Sequence, residues 1–171
     1  MIILLGPDNT GKSTLAKSLN DFSGNKTHHC NTDTVYSDYI DMLSDPSVQD
    51  TVFDRWFFCD IPYATVVRKE QQSKFTYQQV QIMNRLTSIY KPLILLCTNQ
   101  SDNFTEREQL STQDQHSELL LEYRRVLCIL QQPYTVYDWE NPFALPEKLL
   151  DMAATQPYKP GWLTYNENTP V

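Results

Sequence analysis

Glycine is scarce in this chain: there are four in 171 residues, and none between Gly24 and Gly161. Any loop motif that needs a glycine inside that span is excluded, including the D-x-x-G of a GTP-dependent switch. Basic residues are also few, 14 Lys and Arg against 21 Asp and Glu, for a net charge of −7. That argues against a broad basic nucleic-acid footprint, although a local basic groove stays open. The four cysteines, Cys30, Cys59, Cys97 and Cys128, form no C-x-x-C pair. Each sits in or beside an apolar stretch and reads as a buried free thiol in a reducing cytosol. No apolar run is long enough to span a bilayer, and a strand starting at Met1 leaves no room for a signal peptide. The expectation is a cytoplasmic protein without a membrane partner.

What is present is an alternation. Ile2–Leu5 reads as a buried strand feeding a helix over Lys12–Leu19, and Asn25–Asn31 as a weaker second strand. A helix over Asp33–Leu43 follows, with Thr32 or Asp33 as its N-cap and Val35, Tyr39, Ile40 and Leu43 on one face. Thr51–Phe53 reads as a third strand, and Pro62 suits the first turn of a helix ending near Lys69. Thr76 caps the next helix, where Val80, Met83, Leu86 and Tyr90 keep helical spacing. Leu93–Cys97 is the clearest buried strand. Thr105 and Glu108 have capping-box spacing ahead of a long helix over Gln113–Leu130, followed by a strand at Tyr134–Tyr137 and a helix at Ala144–Met152. Strands alternating with helices predict an α/β fold, three layers with a five-stranded parallel sheet. The expected organisation is one domain over residues 1–155 and an irregular tail over 156–171.

The first loop carries the chemistry. Gly6-Pro-Asp-Asn-Thr-Gly11-Lys12-Ser13 satisfies G-x-x-x-x-G-K-[ST], between a strand and a helix as that motif requires. Its backbone N–H groups cradle phosphates, Lys12 supplies a point charge to the β- and γ-phosphates, and the Ser13 hydroxyl is placed for Mg²⁺. The cofactor-binding set is Gly6, Asn9, Thr10, Gly11, Lys12, Ser13 and Thr14, and the cofactors are ATP and Mg²⁺. Asp8 is the oddity, because a carboxylate repels phosphate but suits a hydroxyl donor.

Two classes of phosphate-loop protein compete. Asp21-Phe-Ser-Gly24 matches D-x-x-G but falls close behind Lys12, at the end of the first helix, too early to approach a γ-phosphate. Asn99-Gln-Ser-Asp102 lacks the lysine of a guanine-reading N-K-x-D. A phosphotransferase fits better, since Asp54-Arg55 ends a central strand, where α/β sheets bind ligands. Asp54 suits Mg²⁺ or an attacking oxygen, and Arg55 suits bidentate clamping of an acceptor phosphate. His28-His29-Cys30 resembles a metal cluster, but adjacent strand side chains point to opposite faces, which argues against zinc there.

With both motifs placed, the chain resembles the thymidylate kinase family of P-loop nucleoside monophosphate kinases, and most closely the small thymidylate-kinase-like proteins of phages. The resemblance rests on G-P-D-N-T-G-K-S-T-L, the strand ending F-D-R-W, the segment Lys91–Cys97 and Glu122-Tyr-Arg-Arg125, and covers about residues 1–150. It implies a P-loop kinase fold and, for a phage protein, the host cytoplasm. It also implies that Asp8 accepts a hydrogen bond from a deoxyribose 3′-hydroxyl, that Arg55 binds the acceptor phosphate, and that Asp54 acts near Mg²⁺ and the transferring group. Arg68 is a candidate second clamp. Trp56, Phe57 and Tyr63 are candidates for a base pocket, with core packing as the competing reading of each. The polar stretch 100–116 stands where a lid would, and its Arg107 is a candidate for neutralising the moving phosphoryl, with Arg124 and Arg125 as alternatives. The chain departs from the family in its short length, its lack of a dense lid arginine cluster and the ending Cys97-Thr98-Asn99.

These features predict transfer of the ATP γ-phosphate to a deoxynucleoside monophosphate, thymidylate or a modified uracil nucleotide. A second reading keeps the kinase and makes the acceptor the hydroxymethyl group of 5-hydroxymethyluracil within DNA, which would add nucleic acid as a partner. A third is a GTPase-like nucleotide-binding regulator with no acceptor. A homodimer is compatible with all three.

Overall fold

The computed structural model describes residues 1–69, 72–98, 112–138 and 146–155. Arg107, the capping-box pair Thr105 and Glu108, Asn99 to Asp102 and the tail 156–171 lie outside the described residues.

Five strands form one all-parallel sheet: β1 (Ile2–Leu5), β2 (Lys26–His29), β3 (Thr51–Asp54), β4 (Leu93–Thr98) and β5 (Thr135–Asp138), in spatial order β2-β3-β1-β4-β5. The helices are α1 (Lys12–Ser23), α2 (Tyr36–Ser44), α3 (Asp60–Pro62), α4 (Tyr77–Ile89), α5 (Gln113–Ile129) and α6 (Pro146–Thr155). The period of two along β1 divides the interior. Ile2 and Leu4 join Val52, Leu93 and Leu95 beneath α1 and α6, through Leu15, Leu19 and Leu149. Ile3 and Leu5 join Phe53, Ile94 and Leu96 beneath α2, α4 and α5, through Tyr39, Met83 and Tyr123. The result is the expected three-layer α/β/α architecture, with β1 and β4 buried on both faces as parallel central strands are.

Strand order positions the site. From β1 the chain passes over β3 to reach β2, and from β3 it passes over β1 to reach β4. The loops after the adjacent strands β1 and β3 therefore lead to opposite faces and leave a crevice at their C-terminal ends.

Several local expectations need correction. Helix α2 begins at Tyr36, not Asp33: the Asn31 Oδ1 accepts from the Asp33 and Thr34 N–H groups at 2.9 and 3.1 Å, holding that stretch in an Asx turn. Asp38 then reaches back to the Val35 N–H at 2.8 Å, and Val35 itself is exposed. Pro62 does fall in the first turn of α3, but the helix around it is not a uniform α-helix. A 3₁₀ turn at Phe57–Cys59 precedes α3, and after Pro62, which offers no N–H, the chain continues as a π-helical turn over Tyr63–Arg68. Cys30, Cys59 and Cys97 are buried free thiols, whereas Cys128 is exposed on the outer face of α5. The early D-x-x-G match has a structural explanation, because Gly24 (φ 69°) is the left-handed C-cap of α1, its N–H on the Asn20 carbonyl at 2.8 Å. Thr76 caps α4 as expected, with Gln79 completing a reciprocal pair.

Candidate functional site

The loop between β1 and α1 is pressed against the end of β4. Gly6 has φ 132°, and a Cβ there would lie 2.3 Å from the Cys97 carbonyl oxygen, so only glycine fits. Asn9 (φ 60°) and Gly11 (φ 73°) are also left-handed and turn the loop around its centre. Inside it, the Thr10 hydroxyl donates to the Pro7 carbonyl at 2.9 Å. The Lys12 ammonium donates to the same carbonyl and to the Thr10 Oγ1 at 3.2 Å. Burial, helped by the nearby Arg55 charge, pushes the Lys12 pKa below its ordinary value. This cation gives up water to stand in the loop, which makes it a ready partner for an incoming anion.

Asp54 closes the other side of the loop. Its Oδ2 accepts from the Ser13 hydroxyl at 2.6 Å and contacts the His29 Nδ1 at 3.1 Å. Its Oδ1 is buried without a hydrogen-bond partner. Thr14 follows Ser13 on the exposed start of α1.

Asp8 turns away from the loop's interior. Its carboxylate pairs with the Arg55 guanidinium, two side chains only 11% and 20% exposed. Arg55 has φ 74°, a conformation an L side chain rarely adopts, and its N–H is held by the Leu4 carbonyl at 2.9 Å. The guanidinium stands 5.3 Å from the centroid of the Tyr63 ring. Burial works against the Arg55 charge, but Tyr63, Cys59 and Asp8 outweigh it and hold its pKa above the ordinary value. From α5, His116 lies against the Asp8 backbone, and burial lowers its pKa against the pull of that contact.

Beyond this pair lies a cavity of about 100 Å³ between the β2–α2 loop and the helical segment after β3. Arg55, Trp56, Tyr63 and Arg68 line it. Trp56 is a buried wall: its Nε1 donates to the Thr87 Oγ1 at 3.2 Å, and it packs against Phe53 and Tyr39. Phe57 is buried in the same aromatic cluster. Arg68 reaches the cavity mouth but is held by the Asp60 carboxylate at 2.9 Å. Arg125 pairs with Glu122 on the exposed surface of α5, with Nε to Oε2 at 2.7 Å, and its neighbour Arg124 is also exposed.

Three residues in this constellation carry no sequence signal that places them in it. His29 meets Asp54 because the two are register partners in adjacent parallel strands. Lys74 donates to the Thr32 and Thr34 carbonyls, both at 2.8 Å, and so ties the segment before α4 to the loop over the cavity. His116 arrives from a helix more than a hundred residues along the chain. Pairings of this kind depend on strand order and crossover geometry.

The fold is α/β, a five-stranded parallel sheet flanked by helices. A solved structure of the YorR protein from Bacillus subtilis, in complex with phosphorylated GDP, superposes on it with a TM-score of 0.70. The match covers 90% of this chain and 95% of that one at 15% sequence identity, a likeness of fold. No family model matches the chain, and no curated protein does. Among the described residues no helix is long and apolar enough to cross a membrane.

Proposed function

We propose that this chain is an ATP-dependent phosphotransferase that moves the γ-phosphate of ATP onto the phosphate of a deoxynucleoside monophosphate, thymidylate or a modified uracil nucleotide. The observation that carries the reading is the placement of two half-sites at adjacent strand ends. Lys12, Ser13 and Asp54 surround the phosphate loop, and Asp8 and Arg55 stand between that loop and the cavity. YorR, with a like fold, was solved with phosphorylated GDP, which supports a nucleotide ligand for this fold.

On this reading Lys12 exchanges the Pro7 carbonyl for the β- and γ-phosphates of the donor, joined by the backbone N–H groups of residues 9–14. A magnesium ion suits the corner of Ser13 and Asp54. A hydroxyl and a carboxylate are the oxygen donors a hard cation takes, and Asp54 Oδ1 is buried with no partner. Bound there, the ion would neutralise charge on the donor phosphates. The acceptor phosphate takes the Arg55 guanidinium bidentately, and the Asp8 carboxylate it releases accepts from the sugar hydroxyl. Trp56 and Tyr63 wall the base, and Arg68 is the second clamp. An acceptor phosphate oxygen then attacks the γ-phosphorus in line, the bond to the β–γ bridging oxygen breaks, and ADP leaves. Arg107 is the lid cation on this reading.

Coupled ADP-release assays across a panel of monophosphates, including thymidylate and modified uracil nucleotides, test the proposal. Acceptor-dependent ADP release is expected for at least one of them. Flat release with every monomer refutes it, and labelled phosphate appearing instead on 5-hydroxymethyluracil in duplex DNA would replace the monomer by the polymer.

A further inference from the structure

We infer that His29 is a positioning residue for the metal-binding carboxylate, fixing the orientation of Asp54 from the edge of the sheet. The inference rests on the proposed metal corner of Ser13 and Asp54, and it adds to that corner a residue no phosphate-loop motif contains. Strands β2 and β3 run parallel with His29 as the register partner of Asp54, and paired residues of neighbouring strands project to the same side of a sheet. The pleat therefore delivers the imidazole beside the carboxylate. His29 Nδ1 lies 3.1 Å from Asp54 Oδ2, the oxygen that also accepts from Ser13 at 2.6 Å. Two donors converge on Oδ2, and the other oxygen, Oδ1, is left without a partner.

The asymmetry has a physical consequence. A carboxylate rotates about its Cβ–Cγ bond and exchanges its two oxygens unless something distinguishes them. Ser13 alone distinguishes them weakly, because its hydroxyl is itself a proposed metal ligand and shifts when a cation arrives. His29 is bound to no such duty. With an N–H at Nδ1 it holds Oδ2 and leaves the unpartnered Oδ1 for a cation, the part outer partners play for metal-ligating groups generally. The arrangement is asymmetric in exposure too: the Asp54 side chain is 5% exposed and that of His29 55%, so the imidazole can be altered without opening the core.

The test measures metal-dependent nucleotide binding by the full-length chain, with no turnover required. A fluorescent ATP analogue is titrated in EDTA and then at increasing Mn²⁺, with bound Mn²⁺ followed by electron paramagnetic resonance. His29→Ala and His29→Leu are expected to raise the half-saturating Mn²⁺ concentration about tenfold, the usual scale for losing such a partner. Their nucleotide affinity in EDTA and their melting temperatures stay at the wild-type values. His29→Asn places an amide N–H near the position of Nδ1 and returns the metal dependence to within about threefold of wild type, on the same scale. If wild type binds Mn²⁺ normally and both His29→Ala and His29→Leu match it, the positioning role is wrong and the metal corner stands. If wild-type nucleotide binding is indifferent to Mn²⁺, the corner itself is wrong and the inference falls with it. A loss in His29→Ala that His29→Asn fails to restore also overturns it, since the donor would not be what matters.

Discussion

Replacing Arg55 separately by alanine and by glycine resolves two opposing energies at the centre of the site. The side chain neutralises Asp8, while its backbone, at φ 74°, sits where a Cβ is unwelcome. Removing one partner of a fully buried ion pair costs about 3–5 kcal/mol, because the other charge is left without compensation. The Arg55 and Asp8 side chains keep 20% and 11% of their exposure, so some of that cost is screened by solvent. About 2–3 kcal/mol is the scale expected for Arg55→Ala. Glycine loses the same pair but also escapes the left-handed penalty of about 1–2 kcal/mol, offset in part by its larger unfolded-state entropy. Arg55→Gly should therefore be more stable than Arg55→Ala by about 1 kcal/mol, a gap of about 2–4 °C in melting temperature for a chain of this size. Equilibrium urea unfolding of the nucleotide-free chain, followed by far-ultraviolet circular dichroism, gives the order wild type, glycine, alanine. An alanine variant as stable as the glycine variant would refute the strain, and no loss in either would refute the pairing with Asp8. Both variants should bind ATP and fail to transfer phosphate. A strained residue kept for its side chain is what a functional role at this position requires.

Gly6→Ala should cost several kcal/mol, since its Cβ would meet a backbone oxygen at 2.3 Å that only a shift of β4 or the loop can clear; a melting temperature within about 3 °C of wild type would contradict the packing described. Alkaline pH should destabilise the chain in a particular window. Burial pushes the Cys30 and Cys97 thiols from 9.0 up to about 12, so they stay protonated in the folded chain while unfolded thiols ionise. Their contribution is complete below pH 9 and is lost as pH rises toward 12. Two thiols amount to about 2–3 kcal/mol by pH 10. Urea midpoints measured under reductant at pH 8 and pH 10 check this, and equal midpoints would refute it.

The parts of the fold that can be read from the sequence are those set by local chemistry. The phosphate loop needs its two glycines, lysine and hydroxyl in one short segment, so its identity and its strand-loop-helix setting are legible in the residues themselves. Continuous apolar runs at Ile2–Leu5 and Leu93–Cys97 are the mark of strands covered on both faces, and β1 and β4 are such strands. The capped start of α4 is equally plain, because Thr76 and Gln79 satisfy each other within one turn. Where two local chemistries compete, the pattern misleads. Thr32 and Asp33 look like helix caps, but Asn31 takes the N–H groups of Asp33 and Thr34 first and delays α2 to Tyr36. Cys128 sits among apolar neighbours in sequence, yet the helical period turns it outward.

The amino-acid sequence by itself determined the class of fold and the glycine-lysine loop between β1 and α1, since both follow from spacing along a few turns of chain. It also singled out Asp8, Asp54 and Arg55 as unusual for where they fall. Which of these meet was decided only in three dimensions. The order β2-β3-β1-β4-β5 sets β1 beside β3, so that Asp8 reaches Arg55 and Ser13 reaches Asp54. The same order makes His29 the neighbour of Asp54. Side-chain chemistry is written residue by residue, whereas proximity across a parallel sheet depends on crossovers that bring together strands some 25 to 50 residues apart. No local pattern records that, and the site exists only where those crossovers end.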